Sequence, residues 1–164
     1  MNKQTLGATS LAVATAAAAG SLANTTRTPA WYAQLRKPGY VPPANVFPIA
    51  WTSLYTDIAI TSAMAIDRLR DAGRHAEARN YVIALAANLI LNAGWSWLFF
   101  GYRRLGASAL GAAVLAVSSA DLTRRTAAAD SRAAVALSPY PLWCAFATLM
   151  SSHIWRLNRR ITGP

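Results

Sequence analysis

Acidic residues, cysteines and histidines are nearly missing from this chain of 164 residues: six Asp and Glu stand against sixteen Lys and Arg, with one cysteine and two histidines. A lone cysteine, Cys144, excludes an internal disulfide and any multi-cysteine metal centre. His75 and His153 have no serine or cysteine partner in a recognisable nucleophile motif, and neither a Gly-rich phosphate loop nor a metal-ligand spacing occurs. The familiar enzyme constellations and a resident metal are therefore not expected, and no cofactor is obligatory. Charge of either sign is scarce too. It amounts to 13% of residues, about half the usual soluble share, beside 54% hydrophobic residues.

The placing of that charge decides the class. Residues 80–102 carry none, and neither do residues 133–155 with His153 neutral; residues 38–66 carry only Asp57. Residues 4–26 are Ala/Thr-rich and uncharged, and residues 105–120 are clean up to Asp121. Roughly 20 helical residues cross a bilayer core. The expectation is an all-α integral membrane bundle of five transmembrane helices in one domain over residues 1–164. The spans fall near 5–23, 46–67, 79–102, 105–123 and 133–155. Lys3 and the small residues before Ala23 also fit a cleaved signal peptide. Its removal would leave four helices, so a retained helix is expected.

The net charge of +10 does not point to nucleic acid, because the basic residues sit at segment ends: Arg68, Arg70 and Arg74; Arg103 and Arg104; Arg124 and Arg125; Arg156, Arg159 and Arg160. That is the pattern of anchors facing lipid headgroups, so the expected partner is a lipid bilayer. Lys and Arg divide eight to eight between the two sides, and orientation is not set. Asp57 falls within a span, where a carboxylate is a functional candidate; Asp121 is expected to pair with Arg124 or Arg125.

Between the first two spans, Pro29, Pro38, Pro42 and Pro43 exclude one continuous helix over residues 24–44. With Trp31, Tyr32 and Tyr40 this link reads as an interfacial lid. The spans carry stripes. Trp51 and Tyr55 are four apart; Asn88, Asn92, Trp95 and Phe99 share one helical face; Trp143, Ala147, Met150 and Ile154 share another. Facing one another, they would enclose a slot for a flat, largely apolar ligand, with Ala147 leaving room and the amides meeting a polar edge. The alternative is that the asparagines bond only across helix pairs, at about 0.6–2 kcal/mol each, and that the tryptophans mark the membrane interface.

The segments WYAQLRKPGYVPPANVFPIAWTSLY, NLILNAGWSWLFFG and PYPLWCAFATLMSSHIWRLN resemble the translocator protein family, also known as TspO or tryptophan-rich sensory proteins. The likeness runs from Trp31 to Asn158. The resemblance implies a five-helix bundle, often a homodimer, whose pocket is closed by the first long loop. It implies binding of porphyrins such as protoporphyrin IX or haem, of benzodiazepine-type ligands, and of sterols in some members. The function implied is that of a stress-linked sensor, scavenger or regulator of tetrapyrrole levels in a membrane, the bacterial cell membrane being expected. Transport of such amphiphiles is one alternative. Light- and oxygen-dependent porphyrin degradation is another, with Trp51 and Trp143 as its catalytic residues. The expected ligand-binding residues are Tyr32, Pro42, Trp51, Tyr55, Asn88, Asn92, Trp95, Trp143 and Ala147. The chain departs from the family pattern at Tyr40, Asn45 and Asn88. Residues 150–152 lack the tyrosine that a sterol motif needs between Leu149 and Arg156.

Overall fold

The computed structural model describes residues 1–24 and 28–159. Arg27 and Arg160 of the charge tally, and residues 25–27 of the expected lid, lie outside them. The described residues are helical, with no strand. The elements are α1 (Lys3–Ser21), α2 (Thr28–Gln34), α3 (Val46–Asp71), α4 (His75–Ser96) continued by a π-helical turn (Trp97–Gly101), α5 (Leu105–Ala129), α6 (Ser131–Leu137) and α7 (Pro139–Asn158).

Three stretches are long and apolar enough to cross a membrane by length and composition: His75–Gly101, Leu105–Ala129 and Ser131–Asn158. The first two expected spans form helices but are not among them. Small and hydroxyl residues dilute α1, while Thr52, Ser53, Thr56, Asp57, Thr61 and Ser62 dilute α3. The last expected span is divided. Asp130 caps α6, its Oδ1 accepting the amides of Arg132 at 2.9 Å and Ala133 at 3.1 Å. The helix then stops at Ser138, and α7 starts on Pro139, whose missing amide costs nothing in a first turn.

Local chemistry sets the turns. Gly73, at φ +71°, closes α3 in a Schellman motif: the Arg74 amide reaches Leu69 O at 2.8 Å and the Gly73 amide reaches Arg70 O at 3.0 Å. Small residues set the packing of α5, the helix most extensively engaged with α7. Gly106 lies under Trp155, where a Cβ would stand 3.1 Å from the indole nitrogen, and Gly111 lies under Leu98. A buried polar node ties α3, α4 and α5, with the Tyr81 hydroxyl 2.8 Å from Thr126 Oγ1 and 3.3 Å from Ser62 Oγ. Asp121 pairs with both Arg124 and Arg125 at 2.6 Å.

Candidate ligand-binding cleft

The asparagine stripe of α4 faces inward: Asn88 and Asn92 are 0% and 1% exposed. Their amides belong to one hydrogen-bonded chain through four helices. The Tyr55 hydroxyl of α3 donates to Asn92 Oδ1 at 2.8 Å, and Asn92 Nδ2 donates to the Tyr140 hydroxyl of α7 at 3.2 Å. That hydroxyl donates to Asn88 Oδ1 at 2.8 Å, and Asn88 Nδ2 donates to Ser118 Oγ of α5 at 3.1 Å. Each amide oxygen and nitrogen has a partner, as groups withdrawn from water require. A guest could bond these amides only by displacing a tyrosine or serine.

One turn beyond Asn92 the character changes from polar to aromatic. Trp95 is buried and stacks on Phe99, with centroids 5.6 Å apart and planes at 30°. Trp51 lies 6.3 Å from Trp95 and 5.5 Å from Tyr55. The π-helical turn presents two consecutive rings, Phe99 and Phe100, to the same region, 4.8 Å apart. Such turns recur at functional sites. This one depends on Gly101, where a Cβ would meet the Trp97 ring at 2.8 Å. Trp97 itself is anchored outward, its Nε1 donating to Ala19 O at 3.0 Å.

The segment expected to act as a lid packs on this bank. Helix α2 lays Trp31 and Tyr32 against Phe99 at 5.9 and 6.2 Å, and Tyr32 also meets Phe100 at 6.5 Å. Lys37 ends α2, donating to the carbonyls of Tyr32 at 2.6 Å and Leu35 at 3.0 Å, with Nζ 4.7 Å above the Tyr32 ring. Burial against Phe99 and Phe100 raises the Tyr32 hydroxyl above the ordinary phenol range. Asn158 clamps Arg36: its Oδ1 accepts the Arg36 amide at 3.1 Å and its Nδ2 donates to the Arg36 carbonyl at 2.9 Å. Tyr40 latches to α7 through a 2.7 Å hydrogen bond between its hydroxyl and His153 Nδ1. Pro42, half-buried, lies between that latch and the start of α3.

A second aromatic bank stands on the α7 side. Trp143 meets Phe47 at 6.0 Å and Phe146 at 5.6 Å, and Phe146 meets Tyr40 at 6.1 Å. Trp51 and Trp143 thus belong to different banks, and among the described residues no ring contact joins them. Ala147 is buried one turn from Trp143. Of the expected α7 stripe, Ala147, Met150 and Ile154 lie on the buried face with Tyr140, Cys144 and Ser151, and Trp143 stands at its edge. Among the described residues three buried polar side-chain atoms lack a hydrogen-bond partner, Asp57 Oδ2 and Ser151 Oγ among them. Trp95 Nε1 is buried without a hydrogen-bond partner, a cost of about 1–3 kcal/mol.

Sequence reasoning placed Asn88, Asn92, Trp95, Trp51 and Tyr55 on converging faces, and the structure brings these five together. It missed Tyr140, the hub of the polar chain, although a tyrosine opening an uncharged span opposite two asparagines was a usable signal. It also missed the latch of Tyr40 to His153, for which spacing gives no cue across 113 positions.

The TspO/MBR family model matches residues 8–156. The tryptophan-rich sensory protein of Cereibacter sphaeroides is 33% identical over 128 residues, covering 78% of this chain and 77% of that protein. The translocator protein of Sus scrofa is 35% identical over 137 residues, 81% of this chain and 78% of its own. The tryptophan-rich protein TspO of Chlorobaculum tepidum is 32% identical over 163 residues, 96% and 99% of the two chains. The matched region contains the polar chain, both aromatic banks and the lid: this membrane protein belongs to the TspO/MBR family.

Proposed function

We propose that the protein binds a tetrapyrrole of the protoporphyrin IX or haem class within the membrane and serves as a stress-linked sensor, scavenger or regulator of its level. The observation that carries this reading is the unpartnered indole N–H of Trp95, set among aromatic rings beneath a lid held by a few polar ties. A flat macrocycle stacked on Trp51 and Trp143 would offer an acceptor at its edge to that N–H. Tyr32 and Pro42 would close over it, and the small side chain of Ala147 would leave room. Benzodiazepine-type ligands share the flat apolar face and polar edge.

In this reading Asn88, Asn92 and Tyr55 keep their partners and hold the walls apart, while α2 swings off Phe99 and Phe100 to admit the ring. Helices α1 and α3 also cross the bilayer, giving five spans. Hydroxyls of α3 lower the cost by bonding their own backbone, Ser53 Oγ to Ile49 O at 3.0 Å and Thr56 Oγ1 to Thr52 O at 2.9 Å. Titrating tryptophan fluorescence with protoporphyrin IX tests the site. Saturable quenching is expected, with affinity at least tenfold weaker in a Trp51→Phe, Trp143→Phe double variant. Equal affinity in the two proteins would remove the ligand from this cleft.

A further inference from the structure

At the opposite end of the bundle from the lid, α1 and α4 part to leave a furrow of ≈330 Å³. The two helices run in the same direction and touch closely at their carboxyl ends, where Gly20 meets Ser96 and Ala93 and a Cβ at Gly20 would stand 3.2 Å from Ser96 Oγ. Toward their amino ends they splay. The floor between them is buried: Ile66 of α3, with Thr9, Leu85 and Leu89. Thr9 keeps its hydroxyl out of the furrow's chemistry by donating to Ala59 O at 2.9 Å. The rims are exposed and small, with Ala8 and Ala12 on α1 and Ala86 on α4.

The mouth is polar and cationic. Arg70 is held there by a hydrogen bond from Nη1 to Thr5 Oγ1 at 3.3 Å, which leaves most of its five N–H donors for another acceptor. Asp67 stands one turn earlier at the same mouth: its Oδ2 takes the Asn2 amide at 2.6 Å, and its carboxylate also faces Thr5 and Arg70, offsetting part of the arginine's charge. Arg68 and Arg74 stand at the same end of the molecule but are paired with Asp130 and Glu77, so the cationic character of the mouth rests on Arg70. An apolar trough of ligand size that opens at its shallow end on a guanidinium matches the form of a membrane lipid with an anionic head.

We propose that this furrow binds an anionic phospholipid of the surrounding bilayer, its phosphate on Arg70 and one acyl chain along Ile66, Leu85 and Leu89. The chain gains little by leaving one hydrocarbon environment for another. Selectivity therefore rests on the headgroup, and one arginine at the surface gives a preference of about fivefold for anionic over zwitterionic lipid. The site is independent of the tetrapyrrole reading.

Native mass spectrometry of the full chain in detergent tests it, with phosphatidylglycerol and phosphatidylcholine of identical acyl chains as probes. Phosphatidylglycerol adducts should exceed phosphatidylcholine adducts about fivefold, and Arg70→Gln should equalise the two. Ala86→Trp, at an exposed rim position that the fold tolerates, should reduce both. Arg104→Gln, at the other end of the bundle, should change neither. Equal occupancy by the two lipids in the unaltered protein would overturn the proposal. So would adducts that survive both Arg70→Gln and Ala86→Trp, or a dimer that excludes lipid and is lost on Ala86→Trp, which would show a second copy in the furrow.

Discussion

Two neighbouring regions of α4 solve the problem of polar groups in an apolar bundle in opposite ways. Around Asn88 and Asn92, donors and acceptors from four helices are matched one to one through Tyr55, Tyr140 and Ser118. One turn on, Trp95 buries a donor that nothing accepts, amid rings that touch by their edges and faces. A satisfied network fixes helices in one arrangement. An unsatisfied donor among packed rings carries a cost that a partner with an acceptor would relieve. In the proposed reading the polar chain is the frame and the aromatic region receives the ligand.

The largest effect expected from breaking this contrast is at Tyr140. Tyr140→Phe removes the hydroxyl between the two amides and leaves Asn88 Oδ1 and Asn92 Nδ2 without partners. A loss of roughly 1–3 kcal/mol in stability is expected, visible as a lower melting temperature in detergent. Protoporphyrin IX affinity, measured well below that melt, should stay within twofold. Trp95→Phe is the converse. It keeps the ring on Phe99 and removes the orphan donor, so stability should hold or rise, while porphyrin affinity falls about five- to tenfold for one lost hydrogen bond, worth about 1 kcal/mol. If both variants lose stability and affinity together, frame and cleft are one unit.

The lid offers a smaller, kinetic test. Tyr40→Phe deletes the hydroxyl bonded to His153 Nδ1 and leaves the ring on Phe146. Stopped-flow binding should be a few-fold faster in both directions, with the equilibrium constant little changed. The smallest effect lies outside both regions. Asp130 is held below the ordinary carboxylate range, first by the Ala133 amide, then by the Arg132 amide and by Arg68. A lowered folded-state value contributes stability that is present above the unfolded value and is lost as pH falls through the folded one. The melting temperature should decline slightly at acid pH below about 4, and Asp130→Asn should flatten that decline.

Much of the frame was legible in the sequence, because helices in lipid are announced by where charge is missing. The gaps at residues 80–102 and 105–120 mark the bodies of α4 with its π-helical turn and of α5, which runs on past Asp121 to Ala129, and the period of Asn88, Asn92, Trp95 and Phe99 fixes the face they bury. The break at Ser138 was not read from the sequence: the last span was expected whole over 133–155, and a separate α6 required the Asp130 cap, a local bond that periodicity does not see. The π-helical turn was not legible. It arises where Gly101 lets the chain pass the Trp97 ring, a contact between side chain and backbone rather than a pattern. The pairing of the amides was illegible for a different reason. Spacing places a polar group on a face, and only the neighbouring helices decide whether a tyrosine or a ligand meets it.

The most direct measurement is a two-dimensional nuclear magnetic resonance spectrum of ¹⁵N-indole-labelled protein, read at the six tryptophans with and without saturating protoporphyrin IX. The Trp95 Nε1–H resonance should move downfield as it gains an acceptor, Trp51 and Trp143 should show ring-current shifts, and Trp97, bonded to Ala19, should stay in place. Shifts confined to Trp97 and Trp155, with Trp95 unmoved, would contradict the assignment of the cleft.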